Sequence, residues 1–219
     1  VAVDDYTGRE LWRVGIPGLL KAYNGDELMG VSGTHSNFCV HDGSVYVRDE
    51  DKCLRFDAAT GKLVRQVTHG DWNVDHPVYI DERTGRMLIA GVGREPGEDP
   101  YYRSIYALNL DGSEPRLLTP EKQDHIAIPS SDGRYFVDIY STPQKPQTAV
   151  LRRADGSVVE QLAKGDVSRL RAAGWQPPEN IAVQCSDGKT LCYGLLFKPA
   201  NLDPKSKYPV IDYIYPGPF

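Results

Sequence analysis

A chain of 219 residues, 40% hydrophobic and 25% charged, has the composition of a folded globular protein with enough apolar side chain for a real core. Its net charge of −5 argues against a nucleic-acid partner, and no run of roughly 18 apolar residues is present to cross a membrane. Four cysteines (Cys39, Cys53, Cys185 and Cys192) are too sparse for a disulfide scaffold.

The first residues, VAVDDYTGRE, alternate and are acidic, without the basic and apolar regions of a signal peptide. The stretch VDDYTGRELW is similar to the D-x-x-T-G-x-x-W hairpin of quinoprotein-type propellers. Turn signals then recur at Asp42-Gly43, Thr60-Gly61, Thr84-Gly85, Asp111-Gly112, Asp132-Gly133 and Asp155-Gly156. Between them lie short runs of strand character: SVYVRD, CLRFD, RMLIAGV, SIYALNL, RYFVDIYS, TAVLRR and SVVEQL. Several alternate apolar and polar residues, the period of a half-buried strand, whereas RMLIAGV suits a strand buried on both faces. Two hairpins in roughly 40–50 residues is the spacing of a four-stranded propeller blade. A β-sandwich would also show even short strands, so the period favours a propeller without excluding the alternative. The fold class expected is mainly β: a partial β-propeller of about three to four blades.

The pattern changes near residue 164. In GDVSRLRAAG, Asp166 stands at an N-cap position, Val167, Leu170 and Ala173 have helical spacing, and Gly174 provides a stop. Pro177-Pro178 then makes a stiff linker. NIAVQC, TLCYGLLFKPA and the terminal YPVIDYIY read as further strands. Cys185 and Cys192 flank the turn Ser186-Asp187-Gly188-Lys189, so that Cys185 faces Thr190 and Cys192 faces Val183. A diagonal pair of this kind is poor disulfide geometry, and both are read as free, buried thiols.

Most residues of chemical interest have a plain structural reading. His35, Cys39, His41 and Cys53 fit no common zinc spacing, and no metal or other cofactor is expected. Asp49-Glu50-Asp51 lacks the spaced ligands of a calcium loop and reads as a solvated turn. Trp72, in THGDWNVDHP, reads as an inter-blade packing residue. No serine sits in the G-x-S-x-G elbow of an α/β-hydrolase, and the last histidine, His125, lies inside the propeller region.

From about Thr68 onward the order of motifs resembles the dipeptidyl peptidase IV branch of the prolyl oligopeptidase family of serine peptidases. The matching pieces are VTHGDWNVDHPVYIDERTG, EPGEDPYYRSIYALNLDGSEPRLLTPE, SSDGRYFVDIYSTPQKPQTAVLRRADGSVV, PPENIAVQCSDGKTLCYGLLFKPANLDPKSKYPVI and YPGP. In that family a propeller sits over an α/β-hydrolase and restricts access to its active site. The resemblance implies propeller blades over 1–164, a short helix and linker over 165–175, and the start of a hydrolase domain over 176–219, ending before the nucleophile. It implies a parent serine exopeptidase that releases N-terminal dipeptides from a peptide substrate, X-Pro among them, while this chain alone is expected to be inactive.

By the same resemblance, Tyr215 at the first position of Y-x-G-P is the candidate donor to an oxyanion. Tyr101, Tyr102 and Arg103 are candidates for contacting a peptide in the substrate cavity, the plainer reading being a blade strand whose arginine pairs with a local acid. The acidic residues that hold a substrate's amino terminus in this family would lie upstream of Val1. A homodimeric parent outside the cytoplasm is compatible with the resemblance. The competing reading is a non-catalytic propeller that serves as a binding scaffold.

Overall fold

Aspartates shape most of the turns. In the D-x-x-T-G turns, Asp4 Oδ1 accepts the Thr7 amide and hydroxyl, both at 2.7 Å, and Asp57 Oδ1 accepts those of Thr60 at 2.8 and 2.7 Å. Asp81 repeats the amide contact with Thr84 at 3.2 Å. A short polar side chain that satisfies its own turn amides makes the reversal a local event. These bonds keep the turn carboxyls ionised. Asp132 is held at about 2, chiefly by the Arg134 amide and then by its guanidinium, and Asp187 at about 2 by the Thr190 hydroxyl.

The computed structural model describes residues 1–16, 38–49, 52–203 and 205–213. Between the turns run short antiparallel strands. β1 (Ala2–Val3) and β2 (Glu10–Trp12) form a two-stranded hairpin. Three four-stranded meanders follow. The first holds β3 (Phe38–His41), β4 (Ser44–Asp49), β5 (Lys52–Asp57) and β6 (Leu63–Gln66). The second holds β7 (Asn73–Asp81), β8 (Arg86–Val92), β9 (Ser104–Asn109) and β10 (Arg116–Leu117). The third holds β11 (Asp124–Pro129), β12 (Tyr135–Thr142), β13 (Lys145–Arg153) and β14 (Val158–Lys164). Each strand pairs with its neighbours in sequence, which is the construction of propeller blades.

The chain divides into two compact units, Val1–Gly70 and Asp71–Ile214. In the first, Trp12 lies over the turn at Gly61 and donates its Nε1–H to the Ala58 carbonyl at 2.9 Å. Gly61 has φ +68°, and a Cβ there would sit 2.6 Å from the indole, so both conformation and space demand glycine.

In the second unit the core lies between two blades. Leu88 and Ala90 of β8, with Ile105 and Ala107 of β9, pack with Leu118 and with Phe136 of β12. The opposite face of the same sheet buries Ile89, Tyr106 and Leu108, covered by Trp72, Met87 and Leu117. RMLIAGV is thus buried on both faces, as its continuous apolar run requires. Trp72 packs on the face of the blade that follows it. Its ring meets Tyr106 edge-on at 5.0 Å and lies where a side chain on Gly91 would be, 2.6 Å from a Cβ.

Polar and charged residues also enter this core. Asp138 and Arg152 take inward positions on β12 and β13, and His125 takes one on β11; all three are almost fully buried. Arg152 donates Nε to Asp138 Oδ2 at 2.8 Å, Nη2 to Glu121 Oε2 at 2.7 Å and Nη1 to the Gly156 carbonyl at 3.1 Å. Burial pulls the guanidinium pKa down, and the bonds to Glu121 and Asp138 more than offset it, leaving it above its ordinary value.

After the third meander comes a single helical turn, α1 (Ser168–Ala172). Asp166 stands one residue before its N-cap and accepts the Ser168 amide and hydroxyl, each at 2.8 Å. Gly174 ends it in the left-handed region. β15 (Glu179–Gln184) and β16 (Leu191–Leu196) then form a separate hairpin in which no residue is fully buried.

Two expectations need correction here. Cys185 and Cys192 are neither free nor buried; they form a disulfide. The register is as expected, with Val183 opposite Cys192 and the Cys185 amide bonded to the Thr190 carbonyl at 2.8 Å. The two Cα atoms nevertheless lie 6.2 Å apart, within bridging range. Diagonal partners on a flat ladder stand about 7–8 Å apart, and the strong twist of a two-stranded ribbon shortens one diagonal. Second, the described part of YPVIDYIY, residues 208–213, forms no strand. Val210, Ile211 and Tyr213 are exposed, and no ladder reaches them to make a strand.

Candidate functional site

The loop between β8 and β9 carries the residues singled out from GEDPYYRS. Asp99 turns it: its side chain accepts the Tyr101 amide at 3.0 Å and its carbonyl the Tyr102 amide at 3.0 Å. This reversal sends the three candidates in different directions. Tyr101 is largely exposed and meets the Tyr193 ring of β16 edge-on at 6.2 Å. Tyr102 faces a cavity of about 200 Å³ whose walls include Arg94, Glu95, Glu98, Tyr106 and Tyr193. Arg103 turns to the next blade instead, donating Nε and Nη2 to Asp124 at 2.8 and 2.6 Å, with Asp75 at 4.0 Å. The Asp124 hydrogen bonds raise the Arg103 pKa.

Two of the wall residues, Arg94 and Tyr106, meet Trp72 behind the cavity. The Arg94 guanidinium lies 5.4 Å from the Trp72 ring and 5.3 Å from that of Tyr106, a cation–π arrangement. Tyr106 donates its hydroxyl to Glu95 Oε1 at 3.2 Å. Burial first, then the Glu95 charge, pushes the Tyr106 phenol above its ordinary range. Glu98 lies 3.8 Å from Lys122. Burial likewise raises the Tyr102 phenol. Rings and carboxylates converging on a small concave space can hold a peptide segment by stacking and hydrogen bonds. Sequence reasoning found this loop but missed Tyr106 and Tyr193, which reach it from other strands.

A second cluster brings Glu121, His125 and Asp138 within 4.8 Å of one another through potential ligand atoms. The two carboxylates converge on the Arg152 guanidinium, which already supplies the positive charge. His125 Nδ1 lies 2.8 Å from Asp138 Oδ1, the pairing of a catalytic base with its orienting acid. Its Nε2 lies 2.8 Å from the Glu121 carbonyl, which fills the place a nucleophile would take. The cluster is therefore structural.

Of the other candidates, Cys39 and His41 lie on β3 and Cys53 on β5, while His35 falls outside the described residues. Burial, then the neighbouring Cys39, raises the Cys53 thiol. Asp49 ends β4; Glu50 and Asp51 lie outside the described residues, as does Tyr215.

Residues 42–147 match the family described as the dipeptidyl peptidase IV (DPP IV) N-terminal region. Mouse (Mus musculus) dipeptidyl peptidase 8 is 28% identical over 163 residues, covering 69% of this chain and 18% of that protein. A probable dipeptidyl-aminopeptidase B of Emericella nidulans is 30% identical over 158 residues, covering 69% and 17%. Among solved structures, Porphyromonas gingivalis dipeptidyl peptidase 4 superposes with TM-score 0.60 at 20% identity, covering 79% of this chain and 25% of that one. A putative dipeptidyl aminopeptidase IV from Bacteroides ovatus gives 0.58 at 21%, covering 76% and 26%. The chain thus spans about a fifth of the length of the curated relatives it matches.

Proposed function

We propose, from the premise that this chain is dipeptidyl peptidase IV-like, that it is the propeller-to-hydrolase part of a serine exopeptidase releasing N-terminal dipeptides. The observation that carries the reading is the match of residues 42–147 to that N-terminal region, on a run of four-stranded blades followed by a separate hairpin. In this reading residues 1–164 are blades that restrict access, 165–175 the connection, and 176–219 the beginning of the hydrolase. Tyr215 would supply the oxyanion donor, and the cavity at Tyr102 would contact the peptide chain beside the catalytic centre. The Cys185–Cys192 bridge favours a compartment outside the cytoplasm, where disulfides persist.

The nucleophile, acid and base would come from residues beyond these 219, so the chain alone is expected to be inactive. The test is hydrolysis of chromogenic X-Pro dipeptides by the protein encoded by the whole parent reading frame, beside acylated and ester substrates and beside the 219-residue chain. Dipeptide release by the parent and none by the chain supports the reading. Turnover by the chain, or a parent inactive on every dipeptide, refutes it.

A further inference from the structure

The β15–β16 hairpin is held together differently from every blade. No residue from Glu179 to Leu196 is fully buried, so no core supports the ladder. An unsupported two-stranded hairpin is marginally stable at best in water. Three local devices reinforce this one. Asp187 accepts the Lys189 and Thr190 amides at 2.9 Å. Lys198 reaches Glu179 at the open end at 2.6 Å, through an exposed pair that contributes little. The Cys185–Cys192 disulfide closes the turn end.

The hairpin also forms part of the cavity described above. Tyr193 supplies a wall and packs against Tyr101. Asn180 accepts Gln144 Nε2 at 2.7 Å and lies beside the Tyr102 side chain. Cross-strand pairs share a face and successive residues alternate. Cys192, opposite Val183, and Tyr193, opposite Ala182, therefore lie on opposite faces. The bridge braces the hairpin from the side away from the loop, with Cys192 exposed to a reductant.

We propose that the Cys185–Cys192 disulfide is a redox switch on the Glu98–Tyr102 loop: oxidised, it holds Tyr193 and Asn180 against the loop; reduced, it releases them. The reductant is a dithiol. One of its thiolates attacks a cysteine sulfur, the S–S bond breaks and a mixed disulfide forms. Its second thiolate then resolves that intermediate, leaving an oxidised cyclic disulfide and two protonated cysteines, with two electrons and two protons transferred. Closing a ring of sequence separation 7 restrains the open hairpin enough to change its opening equilibrium on the order of fiftyfold. The inference stands on this geometry and not on the peptidase reading.

The test is amide hydrogen exchange on the intact chain with and without dithiothreitol, in a Cys39→Ser/Cys53→Ser background that leaves only the two bridging sulfurs. Reduction should speed exchange in β15–β16 by tens of fold and in Glu98–Tyr102 along with it, while β11–β13 stay protected. A Cys185→Ser/Cys192→Ser variant should behave like the reduced chain and ignore the reductant. The switch is refuted by free thiols at both positions in air-oxidised protein, or by a hairpin whose exchange is unprotected or unchanged by reduction. It is also refuted if the hairpin loosens without the loop, or if β11–β13 lose protection equally.

Discussion

Replacing Asp138 by alanine removes the carboxylate that joins His125 to Arg152. Arg152 is 2% exposed and keeps only Glu121 and the Gly156 carbonyl, while His125, fully buried, loses its Nδ1 partner. Removing one member of a buried ion pair leaves an uncompensated charge and destabilises by about 3–5 kcal/mol. At about 2–4 °C per kcal/mol for a chain of this size, the melting temperature should fall by about 6–20 °C. Circular dichroism of the intact chain during heating measures it, followed through the transition of the Asp71–Ile214 unit. Replacing both members, Asp138→Leu with Arg152→Met, should lose less than the sum of the single changes, because no lone buried charge remains. A loss below about 1 kcal/mol for Asp138→Ala, or strict additivity in the double variant, would refute the account of a mutually dependent network.

Acid should weaken the turns. The folded-state pKa values of Asp132 and Asp187 lie near 2, below the ordinary 3.8, so their stabilisation is complete above about pH 4. It is lost as pH falls from there toward 2, because the unfolded chain takes up its protons first; Asp132→Asn should flatten that limb in an acid titration followed by circular dichroism. Tyr106 acts at the other end: its raised pKa means stability is lost as pH rises past about 10, and Tyr106→Phe should reduce that alkaline loss. Gly91→Ala should destabilise by about 1–3 kcal/mol through collision with Trp72, and Trp72→Leu should relieve part of it in urea unfolding. Arg103→Ala should lower stability by about 1 kcal/mol through loss of the partly exposed Asp124 pair, measured the same way.

The blades were legible because their determinants are local. Alternation in RYFVDIYS and the Asp-Gly turns lie within a few residues of one another, and β12 and its neighbours follow them. The buried ion network was only half legible. Asp138 and Arg152 stand where strand alternation asks for apolar residues, but their meeting across β12 and β13 depends on register. For the cysteines the register is as the spacing predicts, but the diagonal pair lies within bridging range, because a two-stranded ribbon twists. The cavity shows the same limit, since Tyr193 lies some ninety positions after the loop it joins. Residues 208–213 have strand composition, but β-propensity forms no strand without a partner.

The D-x-x-T-G turns have a kinetic consequence. Each is closed by one aspartate over three residues, and every blade strand pairs with the next in sequence. Hairpins of this kind form in about 1–10 μs. A blade can therefore set its register from its own turns while later blades are still being synthesised.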